Sequence, residues 1–204
     1  MPPTRTPSRD ERRRHYDRYV DDVRDLCRTP RIRKRLEEGR GRPVEHCAAM
    51  DRYLIKHVAG FGARRAHYTI ASLLAMERPT PNWSHSTPHP PPEPDPDTPQ
   101  PAPELADDWT RRPTLGAALA QAARAHPHAA PGLQRNLEVL GVLSADRLHQ
   151  HLPHIIGRLL KLDTACDFAR LLEDLAQWDF ARPQVTSRWR HDFYLTVPDT
   201  HLEL

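Results

Sequence analysis

Proline dominates the middle of this chain and limits what the rest of it can form. Of the 22 prolines among 204 residues, twelve fall within residues 79–113. Proline lacks a backbone N–H and fixes φ, so this segment can form neither a helix interior nor a central strand, and it has few apolar residues. We expect residues 79–113 to be an extended or disordered linker. It separates residues 1–78 from residues 114–204, and each part is large enough for a small helical bundle.

Helical periodicity accounts for the remainder of the chain, and we find no alternating strand pattern. The predicted helices span residues 9–27, 30–38, 43–60, 63–77, 114–126, a segment that begins at Pro131, residues 146–162 and a pair within 168–194. Favourable N-cap residues precede several of them, namely Ser8 (with Glu11 at capping-box spacing), Thr29, Thr114 and Ser144. Pro153 is expected to kink or split its helix. The sequence therefore predicts an all-α protein of two small helical bundles joined by a proline-rich linker.

Two apolar stripes lie close together near the end of the chain. Helical spacing relates Phe168, Leu171, Leu172, Leu175 and Trp178, and a four-residue spacing relates Val185, Trp189 and Phe193. Arg182-Pro183 separates the stripes, because proline disfavours helix at the residue before it. We expect two helices that form a clamp around Trp178 and Trp189.

Positive charge is concentrated in the first part of the chain. Residues 1–78 contain 19 Lys and Arg against 11 Asp and Glu, residues 79–113 contain 2 against 6, and residues 114–204 contain 9 against 10. A partner of the first lobe is therefore expected to be anionic.

The predicted helix 30–38 carries its charges in an unfavourable order. Its first two turns hold Arg31, Arg33, Lys34 and Arg35, and it ends in Glu37 and Glu38. A helix dipole favours the reverse order, and Arg31 and Arg35 repel at i, i+4. An anionic partner explains this placement, and a solvated charged face is the alternative.

Arg64 and Arg65 repeat this arrangement directly after Gly60-Phe61-Gly62. Glycines at the start of a helix let backbone amides approach a phosphate closely. The alternative is a turn whose arginines pair with an acidic residue, for which Asp51 is the candidate.

The first predicted helix interleaves basic and aromatic residues. Arg12, Arg13 and Arg14 precede His15, Tyr16 and Tyr19. Such a pattern can follow a single nucleic-acid strand and stack on its bases. Carboxylates in the same helix favour instead an exposed face of salt bridges with the tyrosines in the core; they are Asp10, Glu11, Asp17, Asp21 and Asp22.

Two clusters invite a metal or catalytic interpretation. The first contains Asp146, His149, His151 and His154, and the second contains Asp21, Asp22 and Asp25. Histidines two positions apart on a helix point about 200° apart, so they do not share one ion. The aspartate row allows a two-metal nuclease as an alternative, but it also balances an arginine-rich helix. With no P-loop or nucleophile motif in the sequence, we expect no metal, no cofactor and no enzymatic activity.

Cysteine usage and hydropathy bear on the compartment. Cys27, Cys47 and Cys166 are odd in number and widely spaced, which is typical of reduced structural thiols. No apolar run reaches the roughly 18 residues of a membrane span, and the charged N-terminus lacks the apolar core of a secretory signal. We expect a cytoplasmic protein that does not contact a membrane.

Several short motifs follow one another in a characteristic order. The last part of the chain reads D-L-x-x-W and then W-x-x-D-F-Y, formed by Asp174, Leu175 and Trp178 and by Trp189, Asp192, Phe193 and Tyr194. Before them come the T-L-G-A-A-L of residues 114–119, the Arg135-Asn136-Leu137 and Val139-Leu140 of one helix, the basic Ile32-Arg33-Lys34 and the helix 62–76. This ordered set resembles the CasB family, the small subunits of Cascade, the type I-E CRISPR surveillance complex. Gln134, where the family has a first arginine, and the long linker depart from its pattern.

The resemblance implies a non-catalytic subunit in antiviral defence that sits as one of a pair along the belly of Cascade. Its implied partners are the backbone subunits, a second copy of itself, CRISPR RNA indirectly, and target DNA through the displaced single strand. The residues expected to bind nucleic acid are Arg31, Arg33, Lys34, Arg64 and Arg65 in the first lobe and Arg135 and Arg188 in the second. The alternative is a helical adaptor that binds only protein.

Overall fold

The computed structural model describes residues 7–77 and 109–198. These residues form nine α-helices and no strand: α1 (Arg9–Cys27), α2 (Pro30–Glu37), α3 (Ala48–Val58), α4 (Arg64–Leu74), α5 (Leu115–Ala125), α6 (Ala130–Val142), α7 (Ala145–Lys161), α8 (Phe168–Ala176) and α9 (Trp178–Tyr194). The predicted all-α class is confirmed. Most of the predicted linker, residues 79–108, lies outside the described residues.

Local capping signals set several helix starts. The Ser8 hydroxyl accepts a hydrogen bond from the backbone N–H of Glu11 at 3.2 Å, and the Glu11 carboxylate accepts one from the N–H of Ser8 at 2.6 Å. Thr114 caps α5 by accepting from the N–H of Ala117 at 3.3 Å. These bonds satisfy N–H groups that have no acceptor within the first turn of a helix. The caps predicted at Ser8 and Thr114 are confirmed, whereas Thr29 and Ser144 precede α2 and α7 without a side-chain hydrogen bond to a helix N–H.

Two helix predictions need correction. α3 begins at Ala48 rather than at Pro43, because a short 3-10 turn over Val44–His46 comes first. α7 is not split at Pro153, and it runs unbroken from Ala145 to Lys161. Proline removes one helical hydrogen bond. Pro153 is buried here, and the burial of its apolar ring is favourable.

The predicted tryptophan clamp is present at the end of the chain. Trp178 and Trp189 are buried with their ring centroids 5.3 Å apart. The helix breaks before the predicted Arg182-Pro183 step: α8 ends at Ala176, and Ala181 within α9 has a non-helical φ of −129°. The prediction of two helices is confirmed, but Trp178, which was predicted to lie in the first helix, stands at the start of the second.

Helices from the two parts of the chain pack against each other. α1 and α4 contact α8, and α4 also contacts α7. Their buried apolar residues form one continuous cluster from Tyr16 to Val197. The division into lobes 1–78 and 114–204 stays a prediction. Within the two described ranges, no helix has both the length and the apolar character needed to cross a membrane.

A short segment before α5 joins the two parts through polar contacts. Arg112 donates hydrogen bonds to Asp17 of α1 at 2.5 Å and to Asp167, the N-cap of α8, at 2.7 Å. Trp109 is buried beside it. This segment therefore fixes α1 against the start of α8.

Candidate nucleic-acid interface

The basic face of α2 contains two cations that no described residue neutralises. Arg31 and Lys34 are exposed, and neither forms an ion pair or hydrogen bond with a described residue. Arg35 pairs with Glu38 at 3.0 Å. Arg31 and Lys34 are therefore available to an external anion.

Arg33 has a different role from its neighbours. Its guanidinium donates to the backbone carbonyl of Ala75 at 2.8 Å and to that of Glu77 at 2.7 Å. These carbonyls follow the last turn of α4, where helical acceptors lack partners and a cation is favoured by the dipole. Arg33, at the unfavourable end of its own helix, thus caps the favourable end of another.

Arg64 and Arg65 both pair with carboxylates of the protein. Arg64 lies 2.7 Å from Asp51, the acidic partner that the sequence offered, and Tyr68 donates a hydrogen bond to the same carboxylate. That hydrogen bond and the neighbouring guanidinium lower the pKa of Asp51. Arg65 pairs with Asp146 of α7 at 2.8 Å. Since exposed ion pairs contribute only about 0–1 kcal/mol, a polyanion can exchange for these carboxylates at small cost.

The two candidates in the second part of the chain have contrasting surroundings. Arg135 is exposed on α6, and no described residue pairs with it. Arg188 lies 2.6 Å from Asp174, which is fully buried and also accepts a hydrogen bond from the indole of Trp189 at 2.6 Å. Burial raises the pKa of Asp174, and the cations beside it oppose that shift. Arg188 therefore balances a buried charge, whereas Arg135 is available to a partner.

A basic groove lies between the two parts of the chain, at a place that the sequence did not indicate. It has a volume of about 580 Å³ and is bordered by Arg40, Met76, Pro153, His154, Gly157, Arg158 and Lys161. We call it the α7 groove. Of the described residues on its border, three are cationic and none carries a carboxylate. A neighbouring pocket of about 710 Å³ continues it past Lys161 and adds both cations and carboxylates.

The cations of the α7 groove are placed by the surrounding backbone. Arg158 packs over Gly132 of α6, where an added β-carbon would lie 2.7 Å from its guanidinium nitrogens. Arg40 follows α2, and the loop then turns at Gly41, whose φ of 68° favours glycine. Lys161 is exposed and has no partner among described residues. The groove therefore presents three cations to one space: Arg158, which is fixed by packing, Arg40, which also pairs with Glu37 at 3.5 Å, and Lys161, which no described residue pairs with.

The tyrosines of the basic and aromatic pattern in α1 lie in the core. Tyr16 and Tyr19 are buried, as the favoured interpretation predicted, and the Tyr19 hydroxyl donates to the carbonyl of His67 at 2.7 Å. In the row Asp21, Asp22 and Asp25, one member, Asp22, lies 3.0 Å from the ring of His57. Among the residues described, no group of three or more His, Cys, Asp or Glu is arranged to hold a metal ion.

Three comparisons bear on identity. The family model of CRISPR-associated protein Cse2 matches residues 31–194. A chain of a CRISPR RNA-guided surveillance complex is 24% identical with a TM-score of 0.70, over 91% of this chain and 95% of that one. A chain of such a complex described as pre-nicking is 26% identical with a TM-score of 0.70, over 91% and 94%. Curated proteins gave no match.

A further solved structure supports the same fold. A Cse2-family CRISPR-associated protein from Thermus thermophilus has a TM-score of 0.60 at 19% identity, over 88% of this chain and 97% of that one. The family match begins in α2 and continues to the last residue of α9. The resemblance to CasB, the small subunit that Cse2 represents, is thereby confirmed, and the chain belongs to the Cse2 family of CRISPR-associated proteins.

Proposed function

We propose that this chain is the non-catalytic small subunit of a type I-E CRISPR surveillance complex, and that it stabilises the R-loop by holding the displaced strand of target DNA. Two solved relatives come from complexes described as CRISPR RNA-guided surveillance complexes. In such complexes guide pairing reads the sequence, and protein surfaces hold the displaced strand through its backbone. A helical subunit with a groove bordered by three cations suits this role.

The α7 groove is the observation that carries the proposal. Arg40, Arg158 and Lys161 share a border on which no described residue carries a carboxylate. Lys161 has no partner among the described residues, and Arg40 can exchange its exposed pairing with Glu37, at 3.5 Å, for a phosphate at small cost. Each phosphate neutralised on a single strand contributes about 0.7 to the slope of log affinity against log salt. Three contacts in the groove therefore correspond to a slope of about 2.

The cations predicted from the sequence extend this surface with unequal strength. Arg31, Lys34 and Arg135 are exposed without partners among the described residues, so they contribute to binding at no cost to the fold. Arg64 and Arg65 contribute by exchanging exposed carboxylates for phosphates. Arg33 and Arg188 act mainly within the protein.

The remaining partners belong to the same proposal. The subunit contacts the backbone subunits and a second copy of itself, meets CRISPR RNA only indirectly, and serves antiviral defence in the bacterial cytoplasm. Catalysis resides elsewhere in the complex.

The test is strand capture by the assembled complex. The variant carries Arg158→Glu and Lys161→Glu, and the control carries Arg147→Glu, an exposed arginine at the start of α7 that does not border the groove. We expect the double variant to assemble normally but to hold the displaced strand less tightly and with a shallower salt slope. Unchanged capture by the double variant, with assembly intact, would contradict the proposal.

The pairing of Arg64 with Asp51 and of Arg65 with Asp146 favours a second candidate, a helical adaptor that binds only protein. A gel shift of single-stranded DNA with the full chain at low salt separates the two. Retention of the DNA supports the strand-holding subunit, and free DNA at every protein concentration supports the adaptor.

A further inference from the structure

The loop between α3 and α4 holds an aromatic ring over α1. Gly60 and Gly62 have φ values of 86° and 66°, and Ala63 has a φ of 46°. These left-handed positions fold the loop back, so that the ring of Phe61 lies on the imidazole of His15, with centroids 3.6 Å apart and planes 2° from parallel. The result is a two-ring stack between the loop and the helix.

Hydrogen bonds fix the lower ring of this stack. The Nδ1 of His67 lies 3.0 Å from the carbonyl of Ala63, which can only accept, so Nδ1 carries the proton. The Nε2 of His67 is then the acceptor for the Nε2–H of His15, at 3.0 Å. Burial lowers the pKa of His15 to about 4, with contributions from His67, Arg18 and His57. His15 is therefore a neutral, oriented ring at neutral pH.

An open pocket of about 390 Å³ lies beside the stack. It is bordered by Phe61 and His15, by Arg14 and Arg18, and by Pro7 and Glu11. Arg14 and Arg18 are exposed on successive turns of α1, and neither forms an ion pair with a carboxylate among the described residues. The two guanidinium groups repel each other at this spacing, and Asp10 and Asp22 lie four residues beyond them on either side. The pocket thus combines an aromatic face with two arginines and one glutamate, and neither arginine forms an ion pair with a described carboxylate.

We propose that this pocket is a stacking site for one base of a single-stranded nucleic acid, with the base on the Phe61–His15 stack and the flanking phosphates at Arg14 and Arg18. Aromatic faces accept every base, and adjacent cations follow the backbone, so the site is tolerant of sequence. The inference rests on the proposed function for its class of ligand. It assigns a contact that the α7 groove lacks, since none of the described residues on the border of that groove is Phe, Tyr or Trp.

The test compares two oligonucleotides on the full chain at low salt. One is a deoxythymidine 12-mer with a central 2-aminopurine, and the other has abasic sites in its central positions. We expect the wild type to quench the 2-aminopurine and to bind the first oligonucleotide at least about fivefold more tightly than the second. Phe61→Leu should remove both the quenching and the difference in affinity between the two oligonucleotides. Phe61→Trp keeps an aromatic ring at this position and should retain both. Phe180→Leu removes an exposed phenyl ring at the start of α9, and it should change neither.

The outcomes separate this inference from the proposed function. Equal binding of the two oligonucleotides by the wild type, or unchanged base dependence in Phe61→Leu, overturns the stacking site. The groove variant Arg158→Glu with Lys161→Glu should weaken both oligonucleotides alike. A groove effect without base dependence therefore leaves the proposed function standing and removes the stacking site alone. Binding of neither oligonucleotide by the wild type contradicts both.

Discussion

The indole N–H of Trp109 donates a hydrogen bond of 2.6 Å to the buried carboxylate of Glu173. The other oxygen of that carboxylate accepts from Arg13 of α1 at 3.0 Å. Two guanidinium groups also contact the Trp109 ring, that of Arg13 at 5.3 Å and that of Arg112 at 4.4 Å from the ring centroid. The Trp109 side chain therefore links the segment before α5 to Glu173 of α8 and to Arg13 of α1.

Removing this link should loosen the contact between the two parts of the chain. Trp109→Phe keeps a ring but deprives the buried carboxylate of a donor, and we expect the free energy of unfolding to fall by about 1–3 kcal/mol. Trp109→Ala also leaves a cavity, for a loss of about 3–5 kcal/mol. Urea unfolding followed by circular dichroism measures both. Phe180→Ala removes an exposed ring as the control, and equal stability of Trp109→Ala and this control would refute the link.

Arg33 and Lys34 are adjacent in sequence and should differ in effect. Arg33→Ala removes two hydrogen bonds from a charged group to the carbonyls that follow α4, for an expected loss of about 1.5–3 kcal/mol. Lys34→Ala, at an exposed position without a partner among the described residues, should change stability by less than about 0.5 kcal/mol. Chemical denaturation of the two variants is the measurement. A larger loss for Lys34→Ala than for Arg33→Ala would reverse the assignment.

The two arginines of the second part should separate stability from binding. Arg188→Ala leaves the buried carboxylate of Asp174 without its closest cation, and we expect a loss of about 3 kcal/mol or more. Arg135→Ala should leave stability unchanged and reduce the salt slope of strand binding by about 0.7. Thermal unfolding and binding at several salt concentrations test both variants. Destabilisation by Arg135→Ala would show that this residue has a structural role.

Buried histidines should make the protein less stable in mild acid. Burial lowers the pKa values of His15, His67 and His149 to about 4, from 6.5 for an unburied ring. At a pH between the folded and unfolded pKa values, these histidines bind protons in the unfolded chain but not in the folded chain. The free energy of unfolding therefore falls as the pH drops from 7 toward 5.5. Denaturant unfolding at those two pH values should show this decrease.

A single substitution checks the histidine origin of the pH effect. His149→Asn retains a polar group beside the Thr69 hydroxyl, which lies 2.8 Å from the histidine Nδ1, but it removes one titrating ring. The decrease in stability between pH 7 and 5.5 should therefore be smaller in this variant. His151→Asn alters an exposed histidine on the same helix and should keep the full decrease. The same decrease in the wild type and in His149→Asn would exclude His149 as a contributor.

Short-range features of this protein could be predicted from its sequence. The capping box of Ser8 and Glu11 depends on residues three positions apart, and the stripes that bury Trp178 and Trp189 depend on helical periodicity. Each is determined within one or two turns of chain. The family resemblance rests on several such local motifs and on their order along the chain, so it too could be recognised from the sequence.

The partners of the arginines could not be predicted in the same way. Arg33 reaches carbonyls more than forty positions away, and Arg158 borders a groove with Arg40 only because α7 packs beside the loop after α2. Whether a cation is neutralised depends on such tertiary contacts, and composition reports only how many cations exist. The charge counts therefore identify the basic part of the chain. They do not distinguish Arg31, which no described residue neutralises, from Arg33, which caps a helix.

Residues 114–119 and 189–194, the two most recognisable stretches of this sequence, pack directly against each other. A β-carbon at Gly116 would collide with the carbonyl oxygen of Trp189, and the hydroxyl of Thr114 donates to the carboxylate of Asp192 at 2.6 Å. A larger residue at Gly116 would force α5 and α9 apart, and loss of the Thr114 hydroxyl would leave the Asp192 carboxylate without this donor. Substitutions at these positions in related chains should consequently arise in compensating pairs, with the spacing between α5 and α9 inherited as a unit.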